Sequence, residues 1–378
     1  MQRDDHINGS ILHFIKHREL NEIYLSIALR FFALSMIGIF LPVYFLFDLG
    51  FSLELVMYFF IIFSVFFAIS AFIGAKIATK IGFKHAILLS IPFLIAFFLL
   101  LPLLETYRIP LFLLAAIGAF SHGLYWIGHH TDLAKFTAKK KRVKQVGWSF
   151  FINSAATLLG PLVGGLILTY FNFTILFTVG SIILLASTIP LFFSKEFYEK
   201  FPFSVKKVFK RGTIRDALTF ISQGMEIGAA GVLWPIFIFF ILGQYFVLGI
   251  IGTISGAVGA LSCLFAGTFS EKVGKRTAIR IGAFSLSALW FLRVIVQTVT
   301  HVYVMTFFSF LQTFSYVPLD TLAYNKARFS RRIVEFLVFR EIFLNLGRVI
   351  IYLFMLITAS YIASFIFTGV AQVLLLLF

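Results

Sequence analysis

The sequence predicts an all-α polytopic membrane protein: twelve transmembrane helices in two pseudo-symmetric six-helix bundles. Three observations predict it. Of 378 residues, 60% are hydrophobic and only 13% charged, whereas a soluble domain is about half apolar and a quarter charged. The apolar residues fall into runs of the roughly 20 residues that a helix needs to cross a bilayer core. The basic residues cluster in alternate connections between those runs, the pattern that fixes membrane orientation.

The runs lie near 22–47, 53–78, 85–104, 110–134, 146–171 and 174–194, then near 217–242, 246–270, 277–298, 302–325, 333–358 and 360–378. The longest break, 195–216, divides the chain into an N-terminal half at 1–194, a central loop and a C-terminal half at 217–378. The opening "MQRDDHINGSILHFIKHREL" lacks the continuous apolar core and the cleavage site of a signal peptide, and reads as a cytoplasmic lead-in. At the other end the chain stops at Phe378 inside the last run, which leaves room for a further tail.

Charge sets the orientation. The lead-in, the 2–3, 4–5, 6–7, 8–9 and 10–11 connections and their approaches carry 27 of the 32 basic residues. The opposite connections carry one, Arg108. Both termini are therefore expected in the cytoplasm, with the plasma (inner) membrane as the host bilayer. The net charge of +16 is accounted for by these loops and calls for no nucleic-acid partner. A Gly-rich phosphate loop and zinc-ligand spacing are both missing, so no enzyme, metal site or cofactor is expected. The one cysteine, Cys263, stands in an apolar run. Nothing points to more than a monomer.

An internal repeat supports two similar halves. Residues 75–84, "AKIATKIGFK", align with 267–276, "GTFSEKVGKR", placing Gly82 on Gly274 at an offset of 192. The same offset carries "FFIN" (150–153) onto "IFLN" (342–345), and so Asn153 onto Asn345. Glycine at 274 allows a tight turn or a positive φ between two spans. Gly267, Glu271, Lys272, Gly274, Lys275 and Arg276 resemble motif A of the major facilitator superfamily, G-x-x-x-D/E-R/K-x-G-R/K-R/K. In the first-half copy Lys80, Gly82 and Lys84 match, but Ala75 and Thr79 replace the first glycine and the acid. Gly160, Pro161, Gly164 and Gly165, in "GPLVGG", resemble the family's motif C, often seen in exporters; the same small residues also suit close helix packing.

The resemblance implies alternating access, with spans 1, 4, 7 and 10 lining a central cavity and 2, 5, 8 and 11 beside it. It also implies that Glu271 docks on the N-terminal end of span 5, near 143–147, as a cytoplasmic gate.

Ionisable groups inside spans are costly and mark function or a paired structural site. They are Arg30 in span 1, His122, His129 and His130 in span 4, and Glu226 in span 7. Asp320 follows in span 10 and Arg340, Glu341 and Arg348 in span 11, while Arg293 lies near the outer end of span 9 and reads as a snorkelling side chain. His129 and His130 also fit a hydrogen-bonded cluster with Asp132. Pro42 and Pro235 predict bends in spans 1 and 7.

Span 11 carries the densest set. Glu341, Asn345 and Arg348 share a helix face by their i, i+4, i+7 spacing. Entering near Ile333, the helix reaches Glu341 at roughly 12 Å and Arg348 at roughly 22 Å depth. Glu341 is the expected proton carrier or charge-balancing acid, with Arg340 or Arg30 as partner and Asn345 and Arg348 nearer the substrate; Asn153 and Asn345 are the matched polar positions flanking the cavity, and a purely structural ion pair is the alternative.

The function expected is proton-coupled efflux of a small molecule. Import of a metabolite or organic anion, lipid flipping, and a non-transporting sensor or assembly role are the alternatives. The partners expected are the bilayer, a small solute and a proton or other coupling ion.

Overall fold

The computed structural model describes residues 18–107, 109–136, 155–193, 203–210, 212–329 and 333–378. The described residues are helical with short connections and contain no strand. Among the described residues, besides the short helices Ile189–Phe193 and Val205–Val208, twelve longer helical segments follow one another. They are α1 (Arg18–Gly38, continued by Leu41–Val43 and a π turn at Tyr44–Asp48), α2 (Leu53–Ile81), α3 (Phe83–Leu100) and α4 (Leu111–Phe136). Next come α5 (Gly160–Tyr170), α6 (Phe173–Ala186), α7 (Ile214–Gly228, a π turn at Ala229–Leu233, then Trp234–Leu242) and α8 (Tyr245–Val273). The last four are α9 (Lys275–Arg293), α10 (Val299–Phe307 continued by Phe310–Phe329), α11 (Ile333–Thr358) and α12 (Tyr361–Ala371).

Eight of these are long and apolar enough to cross a membrane: those of α1–α4, α7, α8, α10 and α11. The apolar stretches at Ala155–Tyr170, Phe173–Ala186 and Tyr361–Leu377 are shorter. The expected span at 277–298 corresponds to α9, which carries Lys275, Arg276, Arg280 and Arg293 and is the least apolar of the set. The expected run at 174–194 is interrupted after Ala186 by a turn at Ser187–Thr188. The start of the run at 146–171 lies outside the described residues, as do the opening residues 1–17 and Arg108.

Backbone chemistry explains the element ends. Gly82 (φ 97°) joins α2 to α3, and Gly274 (φ 85°) joins α8 to α9. An L side chain is strained at either position, so the aligned glycines of the repeat close equivalent turns. α7 begins on a capping box: Thr213 Oγ1 accepts from the Asp216 N–H (3.2 Å), and Asp216 Oδ2 accepts from the Thr213 N–H (3.0 Å).

Pro42 and Pro235 each follow a glycine by four residues, Gly38 and Gly231. A proline lacks the N–H that would bond the i−4 carbonyl, and its ring crowds that carbonyl. The ladder breaks accordingly at both places, with a π turn after Pro42 and another before Pro235.

Helices α1–α6 and α7–α12 pack chiefly among themselves and meet where α2 crosses α11 and α5 crosses α8. The "GPLVGG" stripe seats α5 on two neighbours. A Cβ on Gly160 would stand 2.0 Å from Ser35 Oγ, and one on Gly164 would stand 2.2 Å from the Met36 carbonyl oxygen, both on α1. On α8, a Cβ on Gly249 would meet the Pro161 carbonyl oxygen at 2.5 Å. The α7–α11 crossing is as close: a Cβ on Gly347 would lie 2.1 Å from the Ile221 carbonyl oxygen.

Backbone cannot retreat from such a contact, so Gly347→Ala should lower stability by about 1–3 kcal/mol. Gly259→Ala, where a Cβ meets open space, should be neutral or stabilising by up to about 1 kcal/mol. Thermal unfolding of the two purified variants in detergent reads the difference; equal melting temperatures would refute the close crossing.

Candidate functional site

Three polar groups lie inside the bundle. The first stands where α4 ends, α10 ends and α11 begins. Arg340 is its centre. It donates from Nη1 to Glu341 Oε1 (3.0 Å) and from Nη2 to Asp320 Oδ1 on α10 (2.9 Å). Nη1 also reaches Nε2 of His130 on α4 at 3.2 Å, across 210 residues of sequence. A guanidinium only donates, so His130 Nε2 must accept and its Nδ1–H must donate. Nδ1 faces the Tyr324 hydroxyl at 2.6 Å. His130 Nε2 is also 3.7 Å from Glu341 Oε1, and Gln223 on α7 donates to Asp320 at 3.4 Å. Arg340, Glu341, Asp320 and His130 are each less than a tenth exposed.

At ion-pair distance the charges do not cancel, although the Arg348 guanidinium stands two turns further along α11. Two carboxylates meet one guanidinium, with the histidine accepting as the neutral ring. One proton on a carboxylate would make the cluster neutral and keep His130 Nε2 as an acceptor for Arg340. A buried charge left uncompensated costs several kcal/mol, so the arrangement is suited to holding that proton.

Asn345 and Arg348 stand one and two turns further along α11. Asn345 donates to the Glu341 carbonyl (2.8 Å) and accepts from Arg348 Nη1 (2.9 Å). The Arg348 guanidinium lies 5.4 Å over the Phe67 ring of α2.

The second group is basic and sits on α1 and α4. Arg30 is buried with its guanidinium 3.7 Å over the Tyr125 ring and Nη1 donating to Ser90 Oγ at 3.3 Å. His129 stacks on the same tyrosine, at 5.4 Å between centroids. His122 is held between Phe63 and Phe67, with Nδ1 2.9 Å from the Gly118 carbonyl. No carboxylate lies within ion-pair distance of Arg30 among the described residues. The Glu341 partner is therefore Arg340, and Arg30 rests on an aromatic face instead.

The third group surrounds Glu226 on α7. Gln312 Nε2 donates to both of its oxygens (2.9 and 3.0 Å) and the Tyr316 hydroxyl donates at 2.6 Å. Above it opens a cavity of about 440 Å³. Gly38, Pro161, Gly231, Trp234, Arg293 and Gln312 are among its walls. Arg293, 6% exposed, does not snorkel: its guanidinium rests on Trp290 (4.0 Å) and Trp234 (4.5 Å), which hold it inward. At the end of the bundle opposite to Arg340, the Tyr245 hydroxyl donates to Asp48 (2.5 Å), and Phe47 packs on Phe239 and Phe240.

Of the expected site residues, Asp320, Arg340 and Glu341 are brought together with His130, and Asn345 and Arg348 adjoin them. Arg30 and His122 lie on the α4 side, and Glu226 forms its own group. Asn153, the side chain of Asp132 and residues 143–147 lie outside the described residues, while Glu271 is exposed at the end of α8. Lys80, Lys84, Lys272, Lys275 and Arg276 flank the two glycine turns. Gln312, Tyr316, Asp320 and Tyr324 recur every four residues along one face of α10. That polar stripe was available in the sequence and would have pointed to Gln312, Tyr316 and Tyr324, which ionisable groups alone did not.

Relatives bear on this arrangement. The profile of the Major Facilitator Superfamily matches residues 23–350. The chain belongs to that superfamily. A Bacillus subtilis (strain 168) relative, "Uncharacterized protein YqgE", is 27% identical over 285 residues, which cover 71% of this chain and 66% of that one. The chain thus matches just under two thirds of that relative's length. Among solved structures, the transporter FucP in the outward conformation superposes with TM-score 0.67 at 12% identity, covering 95% of this chain and 98% of that one. The human organic anion transporter MFSD10 (TETRAN) superposes with TM-score 0.69 at 13% identity, with the same coverage of each chain. At such identity the likeness is one of fold.

Charge balance makes a test. Arg340→Gln strands Asp320 and Glu341 and should cost about 3–5 kcal/mol. Asp320→Asn leaves one acid per arginine and should cost clearly less. Adding Asp320→Asn to Arg340→Gln should restore part of the loss in thermal unfolding of the purified protein; strictly additive losses would mean that the two groups are not coupled.

Proposed function

We propose that this chain is a proton-coupled secondary transporter that moves a small organic solute by alternating access and exports it. The observation that carries the reading is the buried Arg340–Glu341–Asp320–His130 cluster, with its two acids for one guanidinium. It ties α4 to α10 and α11. Opening a path at that end must break it. A proton on Glu341 weakens its hold on Arg340, so protonation and opening are linked. The two-half frame, twelve spans at 1–194 and 217–378 about the loop 195–216, supports rocking about the α2–α11 and α5–α8 crossings. Glu271 is assigned as a gate at the same end.

The export direction rests on the likeness of "GPLVGG" to motif C. A second reading, uptake of an organic anion, is favoured by the buried Arg30 beside His129, a basic pair with no carboxylate at ion-pair distance among the described residues. The protein works as a monomer in the plasma membrane with both termini cytoplasmic.

Two experiments test the proposal. In proteoliposomes, Glu341→Gln should still bind a solute found by thermal-shift screening but lose at least about nine-tenths of the flux driven by a pH gradient, since the amide mimics the protonated acid. Undiminished pH-driven flux would leave Glu341 a structural residue; absence of any flux in the unmodified protein would favour a sensor or assembly role. For topology, in a Cys263→Ser background, a cysteine replacing Lys207 should react with an impermeant reagent from the cytoplasm only. One replacing Thr106 should react from outside only. Both positions are exposed. Labelling from one side would overturn the orientation.

A further inference from the structure

Arg293 has no role in the Arg340 cluster, yet it is buried with two nitrogens that have no acceptor. It comes from α9, is 94% buried in complement to its 6% exposure, and lines the cavity between α1, α5, α7, α8 and α10. Its Nε and Nη1 are buried without an acceptor. The nearest acid in chemical reach, Glu226, is already held by Gln312 and Tyr316, and no carboxylate stands within ion-pair distance of Arg293 among the described residues. Burying a guanidinium with idle donors costs free energy unless a ligand supplies the acceptor.

The geometry points to Arg293 as the anchor for the charged end of a small organic carboxylate, bound in this cavity with its apolar body against Trp234, Pro235 and Ile238. The inference rests on the transport reading and names the class of solute. Three features set the class. Arg293 supplies one positive charge beside one acid, Glu226, so a monocarboxylate adds a single negative charge that one proton on Glu226 offsets; a phosphate monoester carries nearly two negative charges and would leave a surplus. Trp234 and Trp290 cover the guanidinium by ring contacts at 4.5 and 4.0 Å, which fixes its position while leaving its N–H groups for hydrogen bonds. The volume, about 440 Å³, is that of a site for a small molecule rather than for a lipid or a bare ion. Gln312 joins the cavity wall to Glu226, so the bound anion lies one side chain away from a carboxylate.

The test uses the purified full chain in detergent at one fixed pH. Isocaproate, benzoate and phenylacetate are compared with their primary amides by thermal shift and by titration. At least one acid should raise the melting temperature while its amide does not. Arg293→Gln should weaken that acid roughly tenfold or more, and Arg293→Lys should retain part of the affinity.

Because a buried arginine can matter for folding, a second variant blocks the cavity from its other wall. Gly231 lines it, and a Cβ there meets nothing within 4 Å. Gly231→Leu should melt near the unmodified protein without ligand and lose the acid-induced shift. If no acid stabilises better than its amide, the inference falls. It falls equally if acid binding survives both Arg293→Gln and Gly231→Leu, or if binding is lost only on Arg348→Gln. Binding at Arg293 without flux in proteoliposomes would sink the transport reading and leave the site. Flux of other solutes with no acid binding would do the reverse.

Discussion

Everything else in the bundle depends on how one guanidinium is neutralised. Arg340 sits in the first turns of α11 and is buried with Asp320 and Glu341 at hydrogen-bond distance. In a low-dielectric interior an arginine without an acceptor is far more costly than a surface one. The two acids remove that cost and create another, a surplus negative charge, which a proton can remove in turn. His130 then makes the balance a matter between distant parts of the chain, since the acceptor for Arg340 belongs to α4. A rearrangement that separates α4 from α11 exposes or strands these groups, and this is the physical basis of the proposed link between protonation and helix position.

The cavity has a different physical origin. Two prolines interrupt two helices, and each proline follows by four residues a glycine whose missing side chain leaves space. Gly38 and Gly231 both line the cavity, and a Cβ on either would meet nothing within 4 Å. The lining thus combines backbone freed from regular bonding with side-chain hydroxyls, isoleucines, the Trp234 indole, Gln312 and Arg293. Helix-breaking residues are tolerated inside a membrane only where the freed backbone is buried in protein or faces a polar cavity. Elsewhere the glycines do the opposite and close contacts completely, as along α5 and at the α7–α11 crossing.

Much of this was legible from composition and spacing, because the membrane restricts the possibilities. Hydropathy locates spans through the length that a helix needs, and charged loops are visible as bare counts. The repeat offset of 192 gave paired glycine turns, and Gly82 and Gly274 both take positive φ. The intramembrane acids were visible for the same reason that they are costly. What spacing could not supply was partner choice across helices. Arg30 and Arg340 were equal candidates to hold Glu341; only packing shows that Arg30 is held by Tyr125 and Ser90. Arg293 looked like a snorkelling residue from its position near a helix end. Two tryptophans, one of them from α7, turn it inward, and no reading of α9 alone contains that information.

The two polar centres of the second half are carried by the same helix. Gln312 and Tyr316 hold Glu226 beside the cavity, and Asp320 and Tyr324 hold Arg340 and His130 at the end of the bundle. Four residues of helix rise about 6 Å, so these groups stand in a row along α10, with neighbouring members separated by about one turn. Pro318 removes one ladder bond between the two pairs, but the helix runs on from Phe310 to Phe329, so a rigid tilt or rotation of α10 alters the acceptors around Arg340 together with the donors on Glu226. Coupling between a solute site and a proton site needs an element that both can bias. For the proposed solute and proton sites, α10 would be that element, and the i, i+4 spacing of its polar face is a property of the sequence itself.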